Sequence, residues 1–223
     1  MSHAHTTPGT GAADAGGHDY LPAMGHDWLL PLYDPYTRLL GAPAAHRMLV
    51  AQADLQPGQR ILEIGCGTGN LLLMAKRRHP GVTATGLDPD PRGLVRARRK
   101  ARRGRLDVQL DRGFASELPY PDGAFDRVFS AFMFHHLAAG DRLAALREAR
   151  RVLAPAGSLH LLDLAGSDGS QGHTARLLRR RAHAHTVTDD LATLMRKAGF
   201  TDVTATGERS TAIGRYATYR AVH

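Results

Sequence analysis

The stretch ILEIGCGTGN at residues 61–70 decides the fold, because a short apolar run passes directly into alternating glycines and then into a helical pattern. Residues 61–64 predict a buried strand, and residues 70–79 have the spacing of an amphipathic helix that ends in basic side chains. Glycines between the two let the main chain turn sharply and leave its N–H groups open to a ligand. The turn therefore predicts a ligand site, across which a nucleoside-type molecule would lie.

The spacing of the glycines separates two classes of ligand. Dinucleotide-binding turns follow G-x-G-x-x-G, whereas here the third glycine comes one residue earlier, as G-C-G-T-G. Glu63 stands two residues before the first glycine, where a carboxylate would repel a pyrophosphate and suit a cationic ligand. Asp88 closes the next strand-like run, where a carboxylate can accept both hydroxyls of a ribose. The structural alternative is a tight strand-to-helix turn with Asp88 as a helix cap, but the two elements together favour a ligand site.

The composition of the 223-residue chain is that of one globular domain, or of one domain with an appendage. A hydrophobic fraction of 43% and a charged fraction of 22% exclude the collagen-like, coiled-coil and fully disordered classes. Cys66 is the only cysteine, so no intramolecular disulfide can form. No window approaches the roughly 18 apolar residues of a membrane helix, and the N-terminal residues lack the apolar stretch of a secretory signal. The sequence predicts a cytoplasmic enzyme or binding protein without a membrane span.

Strand-like and helix-like runs alternate through the middle of the chain. Apolar runs lie at residues 61–64, 82–88, 106–113, 125–134 and 158–164. Helical patterns separate several of them, including a basic one at 91–103. This alternation predicts crossover units and a parallel sheet that is covered by helices on both faces.

The C-terminal part of the sequence predicts one more helix and two more strands. The helix is expected to begin at Thr188, with two aspartates in its first turn, and to end at Gly199. Residues 202–207 and 213–222 are expected to form an antiparallel pair at the edge of the sheet.

The N-terminal part of the sequence divides into two segments. Residues 1–19 contain almost no side chains to bury and are expected to be a disordered tail, whose irregularly spaced histidines predict no metal site. Residues 20–43 are aromatic and punctuated by proline, and they include Trp28 and Tyr33. Such a segment must pack on something, so we expect a short helical lid.

Five motifs in order resemble the class I S-adenosylmethionine-dependent methyltransferases, nearest in style to the small-molecule methyltransferases of the ubiquinone/menaquinone-biosynthesis type. The motifs are residues 63–69, 86–88, 118–126, 133–137 and 147–157. The likeness is close from residue 44 to about residue 165. It implies an α/β, Rossmann-like fold with a seven-stranded, mostly parallel sheet and helices on both faces. Residues 44–223 are then expected to be the methyltransferase domain, with residues 166–187 as an insertion that shapes the acceptor pocket.

The resemblance implies S-adenosyl-L-methionine as the cofactor, with S-adenosyl-L-homocysteine as its product. Gly65 and Gly67 would approach the methionine and ribose parts, and Asp88 would bind the ribose hydroxyls. Where the family commonly has Gly-Asp-Ala beside the adenine, this chain has Phe114 in place of the aspartate, so one acceptor is lost. Phe114 would stack on the purine or turn into the core. The expected cofactor-binding residues are Glu63, Gly65, Cys66, Gly67, Thr68, Gly69, Asp88, Pro89, Phe114, Ala115 and Ser130.

Methyl transfer from a sulfonium mainly needs the two reactants to be aligned and water to be excluded. If the acceptor carries a proton, His135 or His136, which follow the fourth strand, would act as a base or an orienting group. The alternative is that one imidazole packs beneath the next helix and the other is solvated. Trp28, Tyr33 and Arg176 are expected to border the substrate, and no metal is expected.

The acceptor is expected to be a small molecule, and two alternatives stay open. The first alternative is a nucleic-acid methyltransferase, which a net charge of +8 permits. Against it, the basic residues of 92–105 are distributed around the predicted helix and have no aromatic residues between them on which bases would stack. The chain also lacks the cysteine pair and the Asn-Pro-Pro-Tyr run of nucleobase methylation, so a nucleic-acid partner is not favoured. The second alternative is a non-catalytic cofactor-binding protein. The sequence leaves a homodimer open.

Overall fold

A computed structural model describes residues 42–164, 184–211 and 214–223 of the chain. In chain order the elements are α1 (Ala42–Gln52), β1 (Arg60–Ile64), α2 (Asn70–Arg78), β2 (Thr83–Asp88), α3 (Pro91–Gly104), β3 (Gln109–Arg112), β4 (Phe125–Ala131), a 3-10 helix (Phe134–His136), α4 (Ala139–Arg151), β5 (Leu153–Leu164), α5 (Ala184–Lys197), β6 (Asp202–Thr211) and β7 (Gly214–Val222). The strands form one seven-stranded sheet in the order β3-β2-β1-β4-β5-β7-β6.

The sheet is parallel except at β7, which runs antiparallel to both β5 and β6. Leu62 of β1 pairs with Thr85 of β2 on one side and with Val128 of β4 on the other. The Rossmann-like, mostly parallel architecture expected from the sequence is therefore confirmed. The strand order reverses between β1 and β4, and in open parallel sheets the crevice at the carboxyl ends of such strands is where ligands bind.

Helices cover both faces of the sheet, because the central strands are apolar on both sides. One core cluster joins Leu49 of α1 and Leu71 of α2 to the sheet. The other joins Leu146 of α4 and Met195 of α5 to the opposite face. Right-handed crossovers from β1 to β2 and from β2 to β3 place α2 and α3 on the same face. The basic α3 therefore lies beside α2 on the face that also carries α1.

Two boundaries differ from the sequence expectation. β5 begins at Leu153 and not at residue 158, because Leu153 pairs with Phe125 ahead of a register shift in β4. α5 begins at Ala184 and not at Thr188, so the two aspartates do not stand in its first turn. An aspartate near a helix N-terminus contributes only about 0.3–1 kcal/mol, which is too little to set where a helix begins.

Several predicted segments lie outside the described residues. They are the tail 1–19, the lid segment 20–43 apart from its last two residues, and the insertion 166–187 apart from the first turn of α5. Trp28, Tyr33 and Arg176 lie outside as well. Of the helices that the structure does describe, none combines the length and the apolar character needed to cross a bilayer.

Candidate functional site

The glycine-rich turn lies between β1 and α2 and is fixed to the end of β2. Gly65, Gly67 and Gly69 all have positive φ angles, of 73°, 50° and 76°, which side-chain-bearing residues rarely adopt. The N–H groups of Gly65 and Cys66 both donate to the carbonyl of Leu87, at 2.8 and 3.0 Å. The turn therefore holds its left-handed geometry because the neighbouring strand anchors it.

The three glycines differ in what occupies the space where a side chain would stand. A Cβ on Gly65 would overlap the side chain of Met133, and one on Gly69 would lie 3.1 Å from Cβ of Ala97 in α3. A Cβ on Gly67 would meet no protein atom within 4 Å. Gly65 and Gly69 thus permit close packing, whereas Gly67 presents bare main chain to open space.

Asp88 stands beside that open main chain, at the end of β2. Its Oδ2 accepts the N–H of Gly67 at 2.7 Å, and its Oδ1 accepts the N–H of Asp90 at 2.9 Å. Burial raises the pKa of Asp88, and the two N–H donors oppose that rise. The N-cap of α3 is Asp90, which accepts the N–H of Arg92 at 2.8 Å, so the alternative role of Asp88 as that cap is wrong. Because each carboxylate oxygen has two lone pairs, both oxygens can still accept a ligand hydroxyl.

Glu63 and Cys66 lie under the turn and not in the crevice. Glu63 is buried, and its Oε2 accepts the N–H of Leu72 in the first turn of α2 at 2.8 Å. Burial raises the pKa of Glu63 well above its usual range, although the N–H of Leu72 opposes that rise. Burial also raises the pKa of the Cys66 thiol, as do the nearby Glu63 and Asp88 carboxylates. The thiol is therefore a packing group, and its Sγ lies 2.9 Å from where a Cβ on Gly86 would stand.

Lys100 ties α3 to the glycine turn, a role that the sequence did not reveal. Its Nζ donates to Oγ1 of Thr68 and to Oδ1 of Asn70, both at 2.9 Å. Nothing in the sequence sets Lys100 apart from the arginines around it, because the contact depends on how α3 packs against α2.

The third strand brings Phe114 and Ala115 next to β2. The N–H of Gly113 donates to the main-chain carbonyl of Asp88 at 3.3 Å. Phe114, the next residue after Gly113, therefore lies near Asp88. Phe114 is 38% exposed, whereas Ala115 belongs to the core. Of the two placements considered for Phe114, the structure excludes the core.

The segment after Ala115 is held by an ion pair within the last turns of α4. Arg151 donates to both carboxylate oxygens of Glu148, at 2.7 and 2.8 Å, and to the carbonyls of Leu118 and Tyr120. Glu148 in turn accepts the N–H of Leu118 at 2.8 Å. This network fixes the LPYPDG segment beside the crevice, which explains why Glu148 and Arg151 belong to one of the motifs.

The end of β4 contributes three features to the site, of which the sequence predicted only Ser130. Phe132 has a φ of 56°, which is unusual for an aromatic residue and marks strain where the strand leaves the sheet. The next residue, Met133, packs against Gly65. Ser130 is buried within β4, and its hydroxyl has no hydrogen-bond partner among the described residues. An orphaned buried hydroxyl beside β1 is a group that a ligand or a water would satisfy.

His135 is oriented by a carboxylate from the neighbouring strand. Its Nδ1 lies 2.6 Å from Oδ1 of Asp163 at the end of β5, and its main-chain N–H donates to Oδ2 of the same side chain at 3.0 Å. A carboxylate accepts only, so Nδ1 carries the proton and the lone pair of the neutral ring lies on Nε2. The exposed His136 lies beside this ring, with 3.9 Å between the centroids of the two imidazoles. Asp163 could have been found from its position at the end of a buried strand-like run.

The site as a whole has the features of a nucleoside site. The described residues include no group of three or more His, Cys, Asp or Glu side chains that could hold a metal ion. They do bring together open main chain at Gly67, the Asp88 carboxylate, the exposed ring of Phe114 and the unpaired hydroxyl of Ser130. This donor and acceptor set fits a ribose flanked by a flat base and a short polar chain.

Comparison with known proteins gives matches over the same region. Residues 61–157 match the family model of a methyltransferase domain. The demethylmenaquinone methyltransferase of Thermus thermophilus is 44% identical over 138 residues, which are 60% of this chain and 62% of that protein. The 27-O-demethylrifamycin SV methyltransferase of Amycolatopsis mediterranei is 36% identical over 117 residues, which are 52% of this chain and 42% of that protein. The chain thus spans less than two thirds of either relative.

A solved structure shows the same fold. The crystal structure of a SAM-dependent methyltransferase from Aquifex aeolicus superposes with a TM-score of 0.61 and 19% identity, covering 80% of this chain and 89% of that one.

Proposed function

We propose that the chain is a class I S-adenosylmethionine-dependent methyltransferase that transfers a methyl group from S-adenosylmethionine to a small-molecule acceptor, a proposal supported by the methyltransferase-domain match and by the relative from Thermus thermophilus. The observation that carries the proposal is the juxtaposition of Gly67 and Asp88, which joins open main chain to a carboxylate across 2.7 Å. The proposed acceptor is a quinone-type aromatic ring, because the relative from Thermus thermophilus is named for demethylmenaquinone.

The residues present fit the cofactor in distinct roles. Both oxygens of Asp88 keep a lone pair for the ribose hydroxyls, the bare main chain of Gly67 allows close approach, and the exposed ring of Phe114 offers a stacking surface for adenine. Gly65, Cys66, Thr68, Gly69, Pro89 and Ala115 complete the proposed set through the main chain, while Glu63 supports the turn from beneath. When bound, the cofactor supplies an electrophilic methyl group on a positively charged sulfur. Negative charge on Asp88 favours such a cation.

His135 is the proposed base for an acceptor that must lose a proton. Asp163 holds Nδ1–H, so Nε2 is the nitrogen that can take a proton from an acceptor hydroxyl. The positive charge that the ring then acquires lies 2.6 Å from the Asp163 carboxylate, which stabilises it. His136 has no comparable carboxylate partner among the described residues, so it is the weaker candidate.

The remaining parts of the proposal concern the chain around this site. Residues 44–223 are the proposed catalytic domain, and residues 20–43 and 166–187 are proposed to complete the acceptor site through Trp28, Tyr33 and Arg176. We place the protein in the cytoplasm, a location supported by its single, buried, reduced Cys66. The protein is proposed to be a monomer or a homodimer, and its molar mass in solution distinguishes the two.

The test combines binding with transfer. Calorimetric titration with S-adenosylmethionine and S-adenosylhomocysteine should show one site, and labelled methyl should then appear in a demethylmenaquinone analogue with a shortened side chain. Binding without transfer to any acceptor in a panel that includes 27-O-demethylrifamycin SV, for which another relative is named, would favour the non-catalytic alternative. Label in a random oligonucleotide would favour the nucleic-acid alternative. Absence of cofactor binding would overturn the proposal.

A further inference from the structure

The charges of the protein are distributed unequally between the two helical layers. The three helices on one face, α1, α2 and α3, contain eleven Lys and Arg residues and no Asp or Glu. The helices of the other face, α4 and α5, contain six basic and four acidic residues. Among the described helices, the excess of positive charge therefore lies on one side of the sheet.

The outward side of α3 concentrates this charge. At 3.6 residues per turn, six of its residues fall within about 120° of the helix circumference. They are Arg92, Val95, Arg96, Arg99, Arg102 and Arg103. The opposite side buries Leu94, Ala97 and Ala101. We refer to these six residues as the α3 basic face.

Most of the arginines on the α3 basic face are not neutralised within the fold. Arg99, Arg102 and Arg103 are exposed, and none of them pairs with a carboxylate among the described residues. By contrast, Arg98 at the border of the face donates to the carbonyl of Leu110. Long-range repulsion among unpaired cations destabilises a fold, so a surface of this kind is expected to have an anionic counterpart.

The basic surface continues onto α2. The guanidinium Nη2 of Arg77 lies 3.3 Å from where a Cβ on Gly104 would stand, at the last turn of α3. Arg77 and Arg78, adjacent in the last turn of α2, are both exposed, whereas Nζ of Lys76 donates to the carbonyls of Pro80 and Val82. Two helices lying side by side thus present a broad cationic surface and not a single ridge.

One apolar side chain lies among the arginines of the α3 basic face. Val95 is 44% exposed, and only Phe114 joins it as an exposed large hydrophobic side chain among the described residues. Exposed aromatic residues, on which the bases of a single strand would stack, are therefore absent from the described part of this surface. A valine surrounded by arginines, whose apolar stems can lie along lipid while the guanidinium groups reach phosphate, suits the surface of an anionic bilayer.

We infer that the α3 basic face docks the protein onto anionic lipid membranes. The inference is independent of the proposed activity, because vesicle binding would stand whether or not methyl transfer is observed. If both hold, docking would bring the enzyme to the phase in which a quinone-type acceptor dissolves.

The test is co-sedimentation of the full chain with vesicles, using two variants of equal charge. Vesicles of phosphatidylcholine alone are compared with vesicles that contain about one third phosphatidylglycerol, at about 50 mM and about 500 mM salt. The test variant is Arg99→Gln/Arg102→Gln/Arg103→Gln, and the control is Arg147→Gln/Arg196→Gln/Lys197→Gln, which removes the same charge from α4 and α5. Thermal melts check that both variants fold.

The wild type should sediment with the anionic vesicles at low salt and stay in the supernatant when the vesicles are neutral. Each arginine removed from a membrane-facing surface should weaken partitioning about fivefold, so the α3 variant should lose roughly 100-fold while the control stays close to wild type. Equal loss in both variants would mean that net charge alone drives binding and would overturn the inference. So would equal binding to neutral vesicles, or tighter binding to a random oligonucleotide that the α3 variant abolishes.

Discussion

The main-chain N–H of Gly67 donates to the carboxylate of Asp88 across 2.7 Å, so the glycine turn and the end of β2 form one unit. This bond uses one lone pair of Oδ2 and leaves the other available to a ligand, next to a glycine whose missing side chain leaves open space. The two features that the sequence offers separately therefore become a single binding element in the fold.

Replacing Asp88 by Asn should weaken binding of S-adenosylmethionine by about 2–3 kcal/mol, because buried ribose hydroxyls would lose a charged acceptor. Titration calorimetry measures the change. Asp107→Asn, at an exposed position after α3, is the matched control and should bind as the wild type does. An unchanged dissociation constant for Asp88→Asn would mean that the ribose lies elsewhere.

Alanine substitutions at Gly67 and Gly58, two glycines with similar backbone strain, should differ in their effect on cofactor affinity. Gly67 and Gly58 both have positive φ, and a Cβ on either would meet no protein atom within 4 Å. Alanine at each position should therefore cost a similar free energy of unfolding, about 1–2 kcal/mol. Only Gly67→Ala should weaken cofactor binding, because its Cβ would project into the site. Equal effects on affinity in both variants would refute the placement of the cofactor against Gly67.

Catalysis should depend on His135 and Asp163 more than on His136. With an acceptor that loses a proton, His135→Asn should lower kcat about 100-fold or more, while the dissociation constant of the cofactor stays the same. Asp163→Asn should lower kcat by about tenfold or more, since Asp163 holds His135 through two hydrogen bonds, one of them to its ring. His136→Asn is the control. If His136→Asn were the more damaging substitution, the assignment of the base would have to change.

The stability of the protein should fall as the solution becomes acidic, in part because of His160. Burial lowers the pKa of His160 to about 3, and Nδ1 of this ring contacts Nε2 of Gln52 while Nε2 contacts Oγ of Ser158. In the unfolded chain the imidazole titrates near 6.5, so the unfolded state takes up the proton first. The contribution is constant above about pH 6.5 and is lost at up to about 1.4 kcal/mol per pH unit below it.

His46 adds to this acid sensitivity, because burial lowers its pKa to about 4. Urea unfolding at about pH 7.5 and about pH 5 measures the slope, and His160→Gln should reduce the difference between the two by about 2 kcal/mol. A slope that His160→Gln does not change would show that the buried ring does not control it.

The sequence by itself determined the fold class and the kind of ligand. Apolar strands that alternate with helices permit few architectures other than a parallel sheet covered on both faces, and a glycine turn with acidic residues at set positions limits what can bind there. These are local properties, since strand burial, turn geometry and the position of Asp88 at a strand end follow from residues that are close in the chain.

Only the tertiary structure decided the contacts between segments that are distant in the chain. The pairing of His135 with Asp163, the packing of Met133 against Gly65 and the approach of Lys100 to Thr68 join residues 28, 68 and 32 positions apart. No local pattern encodes such distances, because they depend on strand order and on how the helices pack. For the same reason the sequence showed a basic helix at 91–103, but only the layering of the described helices showed that α1, α2 and α3, which carry no acidic residue, share one face of the sheet.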